Sequence, residues 1–543
     1  MNAWSLRPVV AVTILLLAGT LALRAQSISS KDLLDGLSNP ARWLTYSGDY
    51  SGRRHSPLKQ ITPANVGQLA AQWTFQTGVV ARQFEATPIV VDGVLYVTGA
   101  QNHAWAVDGK TGRQIWRYQR ELPQGVKACC GLVNRGFAIA GDRLFMATLD
   151  AHLIALDTKT GKVVWDVELA DFRQGYASTL APLVVKDKVI VGIAGGEFAI
   201  RGFIDAYDVN TGARSWRFWT VPAPGEPGSE TWPADAWERG GGGTWLTGTY
   251  DPKLNLLFWG TGNPSPDFYG ENRKGDNLYT GSLVALDADK GELKWHFQFT
   301  PHDTHDWDAN HIPVLADLTI DGKPRKIVMV ANRNAFFYML DRTTGAFIRA
   351  KQYVHQTWAK EIAANGRPVE IPGQVPTEEG TLTCPDLYGG TNFMSPSFDQ
   401  VTGLFYVTAR ETCMTYIARA PKEGYKAGDF TMGGTFKYGK GATGALRAIN
   451  PMTGELVWEI KHPSPSWAGV LSTAGGLVFS GTNEGSVFAA DSRTGKELWR
   501  YESGAPLYAA PTTYTVDGRQ YIVVPAGQTL TAFALPLTFT TTP

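Results

Sequence analysis

The chain has 543 residues, 50 of them basic and 50 acidic, so its formal net charge is zero, and only 18 % are charged. That balance argues against nucleic acid or an anionic membrane surface as a partner. Gly (59), Trp (18) and Tyr (20) are abundant and long helical periodicities are scarce, which suits many short strands joined by tight turns.

Residues 1–25 read as a secretory signal peptide. Arg7 supplies the positive start, an apolar stretch runs over residues 9–23, and small residues lead to Ala25. The apolar run is short for a membrane span, and no other segment is a candidate span. A soluble mature protein in the periplasm is therefore expected, where disulfides persist. From residue 106 onward one pattern recurs, A-x-D-x-x-T-G-x-x-x-W. It reads AVDGKTGRQIW (106–116), ALDTKTGKVVW (155–165), AYDVNTGARSW (206–216), ALDADKGELKW (285–295), AINPMTGELVW (448–458) and AADSRTGKELW (489–499), with a worn copy, MLDRTTGAFIR, at 339–349. Asp-x-x-Thr-Gly is turn chemistry: Gly takes positive φ, and Asp accepts from nearby backbone N–H groups. Apolar residues flank it, so each copy is a strand, a turn and a strand. The closer spacings suit one four-stranded propeller blade, and each Trp is able to pack flat between neighbouring sheets. Seven copies, plus a blade closed by both chain ends through Trp73 and residues 530–534, predict an all-β, eight-bladed β-propeller with tryptophan-docking repeats. Residues 26–543 form a single domain on this reading. Two non-repeat stretches, 222–243 and 353–386, are expected as loops on the propeller face, where sites form. The four cysteines, Cys129, Cys130, Cys384 and Cys413, include no C-x-x-C-H haem motif and no zinc spacing. No G-x-G-x-x-G follows a strand in a βαβ unit, which excludes a nicotinamide enzyme.

Four further stretches follow one another along the chain: ACCGLVNRG (128–136), WLTGTYDPKLNLLFWGTGNPSP (245–266), TPHDTHDWD (300–308) and WAGVLSTAGGLVFSG (467–481). With the tryptophan-turn repeat they resemble the PQQ-dependent methanol/ethanol dehydrogenases, the quinoprotein alcohol dehydrogenases, over nearly the whole mature chain. The most specific piece is the signature W-x4-Y-D, an apolar run, then G-T-G-N-P-x-P. Pyrroloquinoline quinone (PQQ) is a flat tricyclic ortho-quinone with three carboxylates, so a protein must clamp its faces, neutralise its edge and polarise its quinone. The resemblance implies Trp245 as the floor beneath the ring and Cys129 with Cys130 as a vicinal disulfide above it. Adjacent Cα atoms lie only about 3.8 Å apart, below the usual disulfide range, so out of context two reduced, buried thiols are the favoured reading, which the resemblance and the export signal reverse. The other two cysteines are expected to form a structural bridge. The edge of the ring is assigned, on the same resemblance, to Glu85, Arg135, Thr179, Gly195, Gly196, Asn392 and Trp467. Arg135 suits a carboxylate through its bidentate fork.

The implied metal ligands are Glu197, Asn263, Asp306 and Asp308, hard oxygen donors that suit Ca²⁺ or a lanthanide ion. Asp308, two residues after the base, is the mark of the lanthanide-dependent type, although aldose dehydrogenases on a similar propeller also carry Asp-x-Asp here. Asp306 is the implied catalytic base, chosen from an acid cluster that also holds Asp303 and Asp308, with His302 and His305 as supports. Arg333 is the implied arginine beside the quinone oxygens. The chain departs from the family at Ala335, where Gly is usual, and at Phe393, where Trp is usual; both changes bear on the shape of the substrate pocket. The implied reaction oxidises a primary alcohol to an aldehyde. Asp306 takes the hydroxyl proton, the cation polarises the quinone, Arg333 stabilises developing charge, and hydride passes to PQQ. A soluble cytochrome c is the expected acceptor, and a homodimer is allowed. An aldose or polymer-alcohol dehydrogenase on the same cofactor is the alternative; a non-catalytic propeller scaffold has no reason to hold these residues together.

Overall fold

Each Asp-x-x-Thr-Gly turn closes in the same way. Asp108 Oδ1 accepts from Lys110 N (3.0 Å), Thr111 N (2.8 Å) and Thr111 Oγ1 (2.8 Å), and Asp157, Asp208 and Asp491 repeat the arrangement. The turn fixes the hairpin, and the flanking apolar residues make its strands. In the computed structural model, which describes residues 27–537 apart from Arg82, Ala234 and Asp321, the result is an all-β chain. The described helical segments are one α-helix, Ser30–Asp35, and a few single 3-10 turns. The signal peptide expected at residues 1–25 lies outside the described residues. No described helix is long and apolar enough to cross a membrane.

Seven four-stranded sheets and one five-stranded sheet carry the repeats. Most are simple antiparallel meanders, such as Ile89–Val91, Val94–Gly99, His103–Asp108 and Gln114–Gln119. One sheet joins the chain ends: strand Ala70–Gln76 pairs with Thr529–Ala534, Trp73 opposite Ala532. Inner strands are buried on both faces, while the fourth strand alternates, as in Gln114–Gln119, because only one of its faces meets another sheet. The stretch 353–386 is not simply a loop. It holds the short strands Ala359–Ile362, Pro368–Glu370 and Thr381–Thr383.

The tryptophans link one sheet to the next. Trp116 Nε1 donates to Thr158 O (2.8 Å), Trp216 to Ala288 O (3.3 Å), Trp295 to Arg342 O (3.3 Å) and Trp499 to Leu69 O (3.2 Å). The rings of Trp116, Trp216 and Trp295 lie on the glycine of the following turn. A Cβ at Gly161 or Gly291 would stand 2.7 or 2.5 Å from Trp116 or Trp216. Where the repeat is worn and Arg349 replaces Trp, the following Gly454 rests instead on Lys351.

A second device ties the sheets together at their other edge. Trp43 pairs with Val90, Tyr50 Oη donates to Val184 O (2.8 Å), and the carbonyls of Tyr50, Ser51, Arg53 and Arg54 accept from Tyr250, Leu315, Phe398 and Ser472. Arg54 Nη2 also donates to Thr512 Oγ1 (3.3 Å). These partners belong to the first strands of seven different sheets, which therefore converge on the single segment 43–56.

Candidate active site

The site residues occupy recurrent positions in the sheets. Glu85, Arg135, Thr179, Trp245, Asn392 and Trp467 each lie three to five residues before the first strand of a sheet. The same register, applied to different sheets, delivers all six side chains to one end of the fold. Glu197, Asn263 and Arg333 come from loops that follow second strands, ending at Gly192, Gly260 and Ala331. Asp306 and Asp308 follow strand Leu293–Gln298.

These side chains form one connected constellation. Trp245 Nε1 donates to Asp308 Oδ2 (2.9 Å), and Asn263 N donates to Asp308 Oδ1 (2.7 Å). Arg333 Nη2 is 3.0 Å from Asp308 Oδ2 and its Nη1 3.5 Å from Asp306 Oδ1, with a further bond from Nη1 to Asp306 O (2.8 Å). Two guanidinium groups lie against the Trp245 ring, Arg135 at 4.9 Å and Arg333 at 5.5 Å from its centroid. Arg135 pairs with Glu85 (2.7 Å) and donates to Thr179 Oγ1 (2.7 Å). Its charge also lies 5.1 Å from the Phe393 ring, which stacks on Trp467. Asn392 joins through its carbonyl, which meets His311 Nδ1 (3.1 Å), while His311 Nε2 accepts from Arg333 N (3.0 Å). Gly195 (φ +119°) has Gly175 O where a Cβ would be, and Gly196 stands beside Asn263 Oδ1. The Sγ atoms of Cys129 and Cys130, bonded to each other, lie within 4.8 Å of the Glu197 carboxylate. Both cysteines are exposed, at the open side of the site, unlike the buried thiols of the alternative reading. Cys384 and Cys413 form the second disulfide.

Burial dominates the electrostatics. It pushes the Glu197 carboxyl up to about 7, helped by the Asp308 charge. It also raises Asp306 well above the usual range, against the pull of Arg333. Asp303 is pushed up to about 6, but its two oxygens are engaged: Oδ1 accepts from His305 N (3.0 Å) and Oδ2 from Trp307 N (2.7 Å). It shapes the turn and has no free oxygen for a substrate. Burial lowers His305 to about 4, and the ring stacks on Trp307 at 4.2 Å with Nε2 at Gln374 O. His302 Nδ1 is held by Gly275 O (2.8 Å). Ala335 has φ +81°, a conformation that favours Gly, which explains the family's usual residue there.

The residues present fit a hard cation and an anionic planar group. Asn263 Nδ2 is tied to Asp267 Oδ1 (2.8 Å) and Pro264 O, which leaves its Oδ1 as an acceptor toward the carboxylates. Buried Nε atoms of Arg135 and Arg333 lack hydrogen-bond partners among the described residues, at the two arginines that flank the indole. Sequence reasoning missed Asp267, Arg273, Tyr388 and Arg410. Asp267 directly follows the G-T-G-N-P-x-P signature, and that adjacency was the available signal. Arg410, buried, stacks over Trp467 at 4.2 Å and Tyr388 at 5.4 Å, and no motif marks it.

Comparison with known proteins agrees with this geometry. Residues 43–350 match the family described as "Glucose/ethanol/alcohol dehydrogenase, beta-propeller domain", and residues 442–535 match "Outer membrane protein assembly factor BamB". The quinoprotein alcohol dehydrogenase PedH of Pseudomonas putida is 39 % identical, over 96 % of this chain and 92 % of its own. The lanthanide-dependent methanol dehydrogenase of Methylacidiphilum fumariolicum is 38 % identical, over 95 % and 89 %. A solved europium-containing methanol dehydrogenase superposes with a TM-score of 0.88 at 36 % identity, over 93 % of this chain and all of that one. With a propeller domain matched over residues 43–350 and relatives of this kind over nearly the whole chain, the chain belongs to the PQQ-dependent quinoprotein alcohol dehydrogenase family.

Proposed function

We propose that this protein is a periplasmic, metal-assisted PQQ-dependent dehydrogenase that oxidises a primary alcohol to an aldehyde and passes the electrons to a separate cytochrome c. The observation that carries the reading is the knot at Trp245: its indole N–H on Asp308, with Arg333 bridging Asp308 and Asp306. When bound, PQQ supplies a two-electron oxidant and the cation a Lewis acid. Trp245 and the Cys129–Cys130 bridge would clamp the ring. Glu85, Arg135, Thr179, Gly195, Gly196, Asn392 and Trp467 would hold its edge, and Glu197, Asn263, Asp306 and Asp308 would bind the cation. Asp306 takes the hydroxyl proton of the alcohol, its basicity raised by burial. Arg333, bonded to the backbone carbonyl of Asp306, would offer positive charge where negative charge develops on the bound quinone. Asp308, a further carboxylate among the ligands, favours a trivalent lanthanide over Ca²⁺ by charge. Eight blades around the axial segment 43–56 are part of this reading, supported by the seven first strands that meet it. The apolar, Arg-started stretch at residues 1–25 supports export.

The test is reconstitution. Purified protein is given PQQ with La³⁺ or Ca²⁺, and short primary alcohols are assayed with an artificial electron acceptor. Aldehyde should form only when PQQ and a cation are both present. Failure to bind PQQ with either cation would overturn the reading.

A further inference from the structure

Asp267 is fully buried, at 0 % exposure. Its Oδ1 accepts from Asn263 Nδ2 at 2.8 Å, and its Oδ2 has no hydrogen-bond partner among the described residues. Leaving a carboxylate oxygen buried and unmatched costs several kcal/mol, so a fold that keeps one there gains something in return. Through Asn263 the side chain is one residue removed from Asp308, whose Oδ1 accepts from Asn263 N at 2.7 Å. Arg273, also fully buried, does not neutralise it by direct contact. That guanidinium donates to the backbone oxygens of Pro266 (2.9 Å), Asp267 (3.4 Å) and Asp303 (2.6 Å).

Asp267 is hydrogen-bonded to Asn263 and buried in the same constellation as Glu197, Asp306 and Asp308, the carboxylates read as cation ligands. A cation bound there gains attraction from every further carboxylate that ionises beside it, and a trivalent ion gains more than a divalent one. We propose that Asp267 is a further anionic member of the cation site and that its charge selects a trivalent lanthanide over Ca²⁺. Asn263 couples the two, because the amide that offers Oδ1 to the cation gives its Nδ2 to Asp267. The proposal rests on the reading of Glu197, Asn263, Asp306 and Asp308 as cation ligands.

The test is binding, not turnover. Tb³⁺ is titrated into the purified full chain with saturating PQQ and followed by tryptophan-sensitised luminescence, and La³⁺ and Ca²⁺ affinities are obtained by displacement. Asp267→Asn keeps the shape and an oxygen for Asn263 and removes one charge. Coulomb attraction to a trivalent ion is half as large again as to a divalent ion at the same distance. A loss of about 100-fold for La³⁺ should therefore accompany about 20-fold for Ca²⁺. Asp267→Glu, which restores the charge, should recover most of the La³⁺ affinity. If Asp267→Asn binds La³⁺ within about threefold of wild type, or loses both ions equally, the proposal is overturned. Glu197→Gln separates the two levels. If that variant binds Tb³⁺ like wild type, the ligand reading itself is wrong; if it loses Tb³⁺ while Asp267→Asn does not, only the role of Asp267 fails. Should Asp267→Asn unfold, as judged by circular dichroism, Asp267→Ser repeats the test with a smaller side chain.

Discussion

Asp306 adopts φ +61°, a left-handed conformation that a β-carbon disfavours. Its backbone carbonyl is held by Arg333 at 2.8 Å, so the turn keeps the strain and aims the carboxylate into the constellation. Replacing Asp306 by Asn preserves that shape and removes the proposed base. Asp306→Asn should lower kcat by about 10²–10⁴-fold while PQQ affinity, measured by fluorescence titration, changes little; near-normal turnover would move the base elsewhere. His305 gives a pH prediction. Its folded value near 4 lies below the ordinary 6.5, so its contribution to stability is complete above pH 6.5 and is lost as pH falls toward 4. The loss is about 2 kcal/mol by pH 5. In denaturant titrations, the stability advantage of wild type over His305→Gln should shrink by about that amount between pH 7.5 and pH 5; a gap independent of pH would mean that the ring already titrates normally. At this scale the Asp-x-Asp stretch was visible in the sequence. What the sequence could not show is that, of the three neighbouring acids, Asp303 has both oxygens bonded to the backbone N–H groups of His305 and Trp307.

The unit of the fold is a hairpin whose glycine receives the tryptophan of the preceding repeat. Gly291 illustrates both demands: φ is +71°, and a Cβ would stand 2.5 Å from Trp216. Gly291→Ala should therefore cost about 2–4 kcal/mol, adding left-handed strain to overpacking. Gly225, at φ +87° with nothing near a would-be Cβ, provides the control, and Gly225→Ala should cost only about 1–2 kcal/mol. Equal melting temperatures for the two variants would show that the ring contact is not limiting. The Asp-x-x-Thr-Gly turns and their tryptophans were legible because turn chemistry is local. The short strands inside 353–386 were not. Runs of three or four residues such as Pro368–Glu370 carry too little alternation to stand out, and their pairing depends on partners brought from elsewhere.

Across the whole molecule, Arg54 shows how the sheets are joined. It is fully buried, lies 5.2 Å from the Trp43 ring, and donates to the carbonyls of Tyr46 (2.6 Å), Ala510 (3.3 Å) and Pro511 (3.1 Å). Arg54→Met would fill the space and strand those oxygens. It should lower stability by about 3–5 kcal/mol and expose both chain ends to limited proteolysis; a loss below about 1 kcal/mol would show that the axial segment is held by its backbone bonds alone. The sequence by itself determined the repeat, its turns and the family's signature stretches, because each depends on residues near one another in the chain; the closing of the chain ends followed from the number of repeats, not from local pattern. The tertiary structure alone decided that Asp306 and Asp308 meet Arg333, that Asp267 is bonded to Asn263, and that segment 43–56 meets seven sheets. Those facts depend on contacts between residues up to hundreds of positions apart, such as Arg54 with Thr512, and no local pattern encodes which distant backbone a buried charge will find.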